Sequence, residues 1–235
     1  MRPASLVLLG FEHASIPPYM LRLALLACVL SSSALAARPA PPPIDCDGAI
    51  AAAERLGDTA PGLLHAIGVV ESGRRDPRTG MRRPWPWTVS AEGIGTYYAN
   101  KADAITAVQA LQARGISSID VGCMQVNLFY HPTAFRSLDE AFDPVPNARY
   151  AARFLTSLYA RTRDWPAAAA AYHSFTPGPA AQYAKLIAAV WAGAPVPVVQ
   201  APDGREIVEL PGGGELRMFR TASDTGRSRV FGVMN

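Results

Sequence analysis

From residue 45 onward, apolar positions recur at helical spacing, and capping residues separate the runs. Asn100, followed by an acidic Asp103, and Ser137, followed by Glu140, are typical helix starts. Asp164 with Pro166 is another. The predicted helices cover about 47–56, 61–71, 101–115, a short segment after Ser137, 147–161, 164–172 and 180–191. The pattern therefore predicts a mainly α domain.

Two segments break this helical pattern. Residues 84–99 alternate aromatic and small residues around Ala91-Glu92-Gly93, which predicts a small β-hairpin inserted after the second helix. From Gly193 the chain turns to Pro, Gly and short apolar alternations, so residues 194–235 are expected to be a disordered tail or a marginal hairpin. With the hairpin, the predicted fold class is mainly α with a small β insertion.

The N-terminus has the pattern of an export signal. Arg22 precedes an apolar run over 23–30, and a small-x-small motif ends at Ala36. The run is much shorter than the roughly 20 residues of a membrane-spanning helix, so no stable membrane span is expected. We expect cleavage near Ala36 and a location in the periplasm or outside the cell. Translation starting at Met20 and a weak lipoprotein-like box at Cys28 are alternative interpretations.

Composition limits the remaining organisation. The 235 residues are 49% apolar and 17% charged, enough for one domain core, placed at 45–193 behind a Pro-rich linker at 37–44. The net charge of +3 comes from scattered arginines. This distribution argues against nucleic-acid binding and suits an anionic polymer such as the cell wall.

Two cysteines, Cys46 and Cys123, remain after the predicted cleavage. In an oxidising compartment they are expected to form one disulfide between the first helix and the segment around residue 123. Two buried free thiols are the alternative.

Three short patterns carry candidate chemistry. On the second helix, Glu71 shares a face with Leu64 and Ile67, and an apolar face disfavours an ionised acid, as suits a proton donor. Residues 120–127 place amides at alternating positions, so Gln125 and Asn127 are expected on one face, suited to sugar hydroxyl and acetamido groups. A third pattern, 171–174, places a tyrosine beside a histidine at a helix end.

In this order the patterns resemble the catalytic domain of soluble lytic transglycosylases, a lysozyme-like family that cleaves murein. The resemblance covers roughly 45–192 and is carried by Glu71-Ser72, Gly122-Cys123-Met124-Gln125-Val126-Asn127, Ala171-Tyr172 and Tyr183. It implies an α+β lysozyme-like fold and peptidoglycan glycan strands as substrate. Whether the chain serves a secretion apparatus, a flagellum or general wall turnover is left open.

The resemblance also implies a mechanism with one essential carboxylate. Glu71 would protonate the oxygen between N-acetylmuramic acid and N-acetylglucosamine, then act as a base on the C6 hydroxyl to close a 1,6-anhydro ring. Tyr172 or Tyr183 would lie near Glu71. The residues implied to bind the sugar substrate are Ser72, Met124, Gln125, Asn127, Tyr172 and Tyr183.

Two features depart from the family pattern. His173 stands where the family usually has Asn, which puts one hydrogen bond in doubt and introduces a titratable group. Residues 76–115 also make the spacing longer than in a minimal domain. The aromatic residues in this insertion are expected to form a satellite core rather than to stack on sugars; they are Trp85, Trp87, Tyr97 and Tyr98.

Several other functions fit parts of the sequence. A goose-type lysozyme would hydrolyse the same bond in the same fold, and a non-catalytic wall-binding or secretion-assembly factor could keep the fold alone. A cysteine peptidase would use Cys123 with His131 or His173 as base, which a disulfide would prevent. Zinc-ligand spacing is missing among the four histidines, so neither a metal nor another cofactor is expected.

Overall fold

The computed structural model describes residues 45–211 and 215–222. The predicted signal peptide, the linker and the last residues of the tail lie outside this part of the chain. The helices that it contains are, in chain order, α1 Cys46–Gly57, α2 Leu63–Ser72, α3 Lys101–Ala113, α4 Leu138–Ala141, α5 Pro144–Thr162, α6 Trp165–His173 and α7 Pro177–Trp191. The strands are β1 Gly73–Arg75, β2 Arg82–Pro84, β3 Thr88–Ala91, β4 Ile94–Tyr97, β5 Asp120–Val121, β6 Val126–Asn127, β7 Val198–Gln200, β8 Glu206–Glu209 and β9 Glu215–Thr221.

Side-chain caps set the helix starts, as the sequence predicted. Asn100, Ser137 and Asp164 each accept a hydrogen bond from a backbone N–H in the first turn of the following helix. Helix α5 begins three residues earlier than predicted, because Asp143 caps it and Pro144 occupies its first position. Its extra turn lengthens the helix against which α1 and α6 pack.

The β-structure is larger than the sequence predicted. Strands β3 and β4 pair antiparallel at the position of the predicted hairpin, but they belong to a seven-stranded mixed sheet in the order β6-β5-β3-β4-β9-β8-β7. The description of residues 194–235 as a disordered tail or a marginal hairpin was wrong for 198–211 and 215–221, which supply three strands. Val208 and Phe219, each 1% exposed, join the main core. Their burial stabilises strands that are too short to be stable alone.

Helix α2 lies at the centre of the main core. Every residue in it is buried except His65, so it buries much more than the predicted stripe. Helices α1 and α7 and strand β2 pack around it. The predicted disulfide is confirmed: Cys46 on α1 is bonded to Cys123, with a Cα–Cα distance of 5.8 Å. It ties α1 to the turn between β5 and β6.

The described part of the chain contains no helix that combines the length and apolar character needed to cross a membrane.

Candidate active site

A cavity of about 620 Å³ lies beside the C-terminal end of α2. Its lining side chains come from α2, the β5–β6 segment, α5, α6 and β9. The volume lies within the range of about 300–1,000 Å³ that is typical of small-molecule sites. Both the helical part of the chain and the C-terminal strand β9 therefore contribute to it.

Glu71 brings a carboxylate to this cavity from the last turn of α2. The residue is only 4% exposed, yet it lines the cavity, so its carboxylate borders a confined space rather than bulk solvent. The Tyr183 hydroxyl on α7 donates a hydrogen bond to Glu71 Oε1 at 2.7 Å. Of the two sequence candidates for a tyrosine near Glu71, Tyr183 is the one that makes the direct bond.

Tyr183 is a hydrogen-bond donor fixed in its protonated form. Burial is the main cause that raises the pKa of its phenol well above the usual value, and the Glu71 carboxylate and the bond to it add to the effect. Its ring is fully buried and does not line the cavity, so its predicted role as a sugar contact was wrong. It acts on Glu71 instead.

The segment Gly122–Gln125 forms a tight turn with left-handed backbone at both ends. Gly122 has φ +82°, and a Cβ there would come within 2.3 Å of the Asn147 amide nitrogen. Asn147 is completely buried, donates to the carbonyls of Val121 and Ala141, and accepts from the Met124 N–H. No local pattern indicated this α5 residue, which fixes the turn from 23 residues away.

The two predicted amides are bonded within the protein. Gln125 has φ +48° and belongs to the turn, so the expected strand alternation with Asn127 was wrong. The Gln125 Nε2 donates to the carbonyls of Thr88 and Gly122, and its Oε1 accepts from the Ser90 hydroxyl. Both amides line the cavity, yet their polar atoms brace its wall rather than stand free for a sugar.

Asn127 is engaged in the same way. Its Nδ2 donates to Ser118 Oγ and to Asp120 Oδ1, and its Oδ1 accepts from the N–H groups of Phe129 and Tyr130. It therefore shapes the loop that follows β6 and orients the Asp120 carboxylate.

Ser72 and Met124 do not line the cavity, and their predicted role as cleft residues was wrong. Both are fully buried. The Ser72 hydroxyl donates to the Cys123 carbonyl at 2.6 Å and accepts from the Trp85 N–H at 3.2 Å. Ser72 thus joins α2 to the turn and to the insertion, while Met124 fills the core.

Tyr172 and His173 lie in the cavity wall at the end of α6. The Tyr172 hydroxyl donates to the Met124 carbonyl at 2.9 Å, so its ring faces the cavity while its polar atom braces the turn. His173 stacks on the Tyr183 ring with centroids 4.5 Å apart. The imidazole that replaces the family's Asn therefore packs against the tyrosine that contacts Glu71.

Two charged residues at this site, Arg217 and Asp120, were not predicted from the sequence. Arg217 on β9 lies with Nη2 3.3 Å from Glu71 Oε2 and 3.2 Å from Asp120 Oδ2. Its Nη1 donates to Gln125 Oε1 at 2.6 Å. Burial disfavours the guanidinium charge, but the attraction of Glu71 and Asp120 outweighs it and raises the pKa of Arg217. Arg217 is 146 residues downstream of Glu71, in the segment predicted to be a tail, so no local signal could have indicated it.

Aromatic rings outside the 76–115 insertion surround the cavity. Tyr130 and Phe175 line it and are 71% and 72% exposed. Tyr150 contacts His131 Nδ1 at 2.8 Å within the lining. The cavity lining includes no aromatic residue of the insertion. Within the insertion, Trp85 packs edge-on against Trp87. Tyr97 belongs to the main core, and Tyr98 packs against a second, smaller cluster of buried apolar residues.

Comparison with known proteins gives the family. The model of the transglycosylase SLT domain matches residues 49–182, more than half of the chain, and the protein belongs to this family. Membership indicates a lytic-transglycosylase-like enzyme that acts on peptidoglycan. No curated protein matches the chain significantly, and no solved structure does.

Proposed function

We propose that the protein is a lytic transglycosylase that cleaves the bond between N-acetylmuramic acid and N-acetylglucosamine and leaves a 1,6-anhydro end. The observation that carries this proposal is the Glu71 carboxylate, 4% exposed, in the wall of a 620 Å³ cavity and bonded to the Tyr183 hydroxyl. A carboxyl group held in a confined site by a defined hydrogen-bond donor is suited to acid–base catalysis.

The proposed reaction uses Glu71 twice. In the first step Glu71 gives its proton to the glycosidic oxygen, the bond to the anomeric carbon breaks, and the N-acetylglucosamine side leaves with a free hydroxyl. The acetamido group of the muramic residue supports the positive charge. In the second step the Glu71 carboxylate takes the proton of the C6 hydroxyl, whose oxygen bonds to the anomeric carbon. Glu71 is again protonated at the end.

Tyr183 fits this proton cycle. Its hydroxyl donates a hydrogen bond to Glu71 Oε1, so the transferred proton is carried on Glu71 Oε2. The bond from Tyr183 is stronger to a carboxylate than to a carboxylic acid, because charge-assisted hydrogen bonds are the strong ones. Tyr183 therefore stabilises Glu71 most when it has released its proton.

The exposed rings at the cavity are candidate sugar contacts. Tyr130 and Phe175 present apolar faces to solvent beside the site, and such faces suit the apolar faces of pyranose rings. They replace the predicted amides as the groups expected to contact the glycan. Substitution of both by Ala is expected to raise KM for glycan strands more than it lowers kcat.

A hydrolytic, lysozyme-like outcome is the second candidate. Asp120 lines the same cavity, and the Glu71 and Asp120 oxygens lie within 3.3 Å of one Arg217 nitrogen, so they are separated by at most twice that distance. Glycosidases hold two catalytic carboxylates about 5–5.5 Å apart when the second is a nucleophile and about 6.5–9.5 Å apart when it activates water. In this alternative Asp120 would be the second carboxylate, water would reach the anomeric carbon, and the product would carry a reducing end.

Product analysis separates the two outcomes. Purified sacculi are digested with the wild type and with Glu71→Gln, and the soluble muropeptides are analysed by mass spectrometry before and after borohydride reduction. We expect 1,6-anhydro ends, which borohydride leaves unchanged, from the wild type and no release by the variant. Reducible ends would establish hydrolysis, and release by both proteins would remove Glu71 from the mechanism.

We also propose that the protein works after export, in the periplasm or outside the cell. The Cys46–Cys123 disulfide supports this, because disulfides persist in oxidising compartments. N-terminal sequencing of the mature protein from a fractionated cell is expected to begin just after Ala36. A cytoplasmic, unprocessed protein would contradict the proposal.

A further inference from the structure

Strand β9 carries a cation into the cavity from outside the segment that defines the family. The family match ends at residue 182, whereas Arg217 lines the cavity and its side chain is only 12% exposed. The matched segment alone therefore does not contain every charged group beside Glu71.

The strand that presents Arg217 is an integral part of the fold. Phe219, two residues further on the same face, is 1% exposed and stacks on Tyr97 with ring centroids 5.0 Å apart. Its ring lies over Gly95, where any Cβ would come within 2.5 Å of it. An ion pair between Arg82 and Glu206 at 2.7 Å also ties the neighbouring strand β8 to β2. These contacts hold Arg217 in one position rather than on a movable lid.

Gln125 sets the position of the guanidinium within the site. Both protons of its amide nitrogen are engaged by backbone carbonyls, so its Oε1 has a fixed place, and Arg217 Nη1 bonds to it at 2.6 Å. The other nitrogen, Nη2, then lies between Glu71 and Asp120 at 3.3 and 3.2 Å, longer than the 2.7–2.9 Å of a tight charged hydrogen bond. The guanidinium is bonded to the amide and placed between the carboxylates.

We propose that Arg217 is a positioning residue for Glu71. Once Glu71 has released its proton, two ionised carboxyl groups in one small cavity repel each other, and the guanidinium between them offsets this repulsion. It thereby keeps the Glu71 side chain directed into the cavity rather than turned away from Asp120. The C-terminal strands complete the active site in this chain. This inference rests on the proposed glycan cleavage by Glu71.

The test uses the full chain with Arg217→Gln, Arg217→Lys and, as matched control, Arg220→Gln. Arg220 is on the same strand but on the other face, where its Nε donates to Thr96. Kinetics are measured on soluble glycan strands, and circular dichroism and thermal melting check the fold. We expect Arg217→Gln to lose kcat on the order of 10- to 100-fold with KM changed less than about 2-fold, as for a misplaced catalytic group. Arg217→Lys keeps the charge and is expected to retain more activity than Arg217→Gln.

A second variant tests the charge argument. Asp120→Asn together with Arg217→Gln removes both the second carboxylate and the cation, so the double variant is expected to be more active than Arg217→Gln alone. If Arg217→Gln does not fold, Asp120→Asn is compared with the double variant Asp120→Asn/Arg217→Lys instead. These two proteins are expected to have the same kcat within about 3-fold.

Each remaining outcome overturns the inference. Unchanged kinetics would show that Arg217 has no role in the reaction. A raised KM at constant kcat would make it a substrate ligand, and a gain in activity would make it an inhibitory contact. A double variant no more active than Arg217→Gln would remove the charge argument. A wild type that releases no glycan fragments overturns the proposed function and this inference with it, whereas an active wild type with an equally active Arg217→Gln overturns this inference alone.

Discussion

Tyr183→Phe removes a single hydroxyl group from the proposed catalytic centre. The hydroxyl that it deletes donates to Glu71 Oε1 at 2.7 Å, while the ring remains fully buried and stacked on His173. The change therefore leaves packing in place and takes away one hydrogen bond to a carboxyl group. That bond is the direct structural link between α7 and Glu71.

The size of the effect follows from the kind of bond that is lost. A hydrogen bond to a charged group contributes about 1.5–3 kcal/mol, and an acceptor left buried without a partner costs a similar amount. The bond is strongest when Glu71 is a carboxylate, the form that the first proton transfer produces. About 1.5–3 kcal/mol lost from the transition state corresponds to a kcat lower by about 10- to 150-fold.

Initial rates of glycan cleavage by the wild type and Tyr183→Phe provide the assay, with urea unfolding of both proteins measured in parallel. Tyr159→Phe is the matched control, because Tyr159 stacks on Trp165 and does not line the cavity. A lower kcat for Tyr183→Phe with an unchanged control is expected. An unchanged kcat together with a lower free energy of unfolding would show that Tyr183 is a packing residue only, and would refute the reasoning.

Three further predictions concern the scaffold. Replacing Cys46 and Cys123 by Ser opens a loop with a sequence separation of 77, which should lower the free energy of unfolding in urea by about 4 kcal/mol. Gly122→Ala should destabilise the protein and lower activity, because φ +82° is unfavourable for Ala and the added Cβ meets buried atoms; an equally stable, active variant would contradict the turn geometry. In a histidine NMR titration, His65 should titrate above pH 6.5 because its bond to an aspartate raises its pKa, and His131 below it because burial lowers its pKa. Protonation of His65 then stabilises the fold below pH 6.5, and this contribution is lost as the pH rises through its raised pKa. His131 favours the fold above pH 6.5, and its contribution is lost as the pH falls through its lowered pKa.

Local patterns predicted the helical part of the molecule well. Caps at Asn100, Ser137 and Asp164 depend on side chains within three residues of the groups that they bond, so the sequence contains the whole interaction. The burial of Glu71 was also predicted locally, because it follows the apolar residues of α2 and is buried with them. The disulfide followed from counting the cysteines that remain after the predicted signal cleavage.

The sheet and much of the site depend on contacts between distant segments. Strand β9 pairs with β4, more than 110 residues earlier in the chain, and Phe219 becomes a core residue only because Gly95 leaves space for its ring. Gln125 was expected on a strand, but the turn that Asn147 fixes gives it a left-handed backbone and turns its amide toward Arg217. These relations have no periodic signature along the chain.

Dependence of glycan release on Glu71 can be measured directly by comparing the wild type, Glu71→Gln and Glu209→Gln on purified sacculi. Glu209 is an exposed glutamate on β8, so it controls for the chemical change itself. With all three proteins folded by circular dichroism, Glu71→Gln should release muropeptides at least about 100-fold more slowly, the usual contribution of an acid–base group, while Glu209→Gln matches the wild type. A folded Glu71→Gln protein that releases muropeptides at the wild-type rate would contradict the assignment of Glu71 as the proton donor.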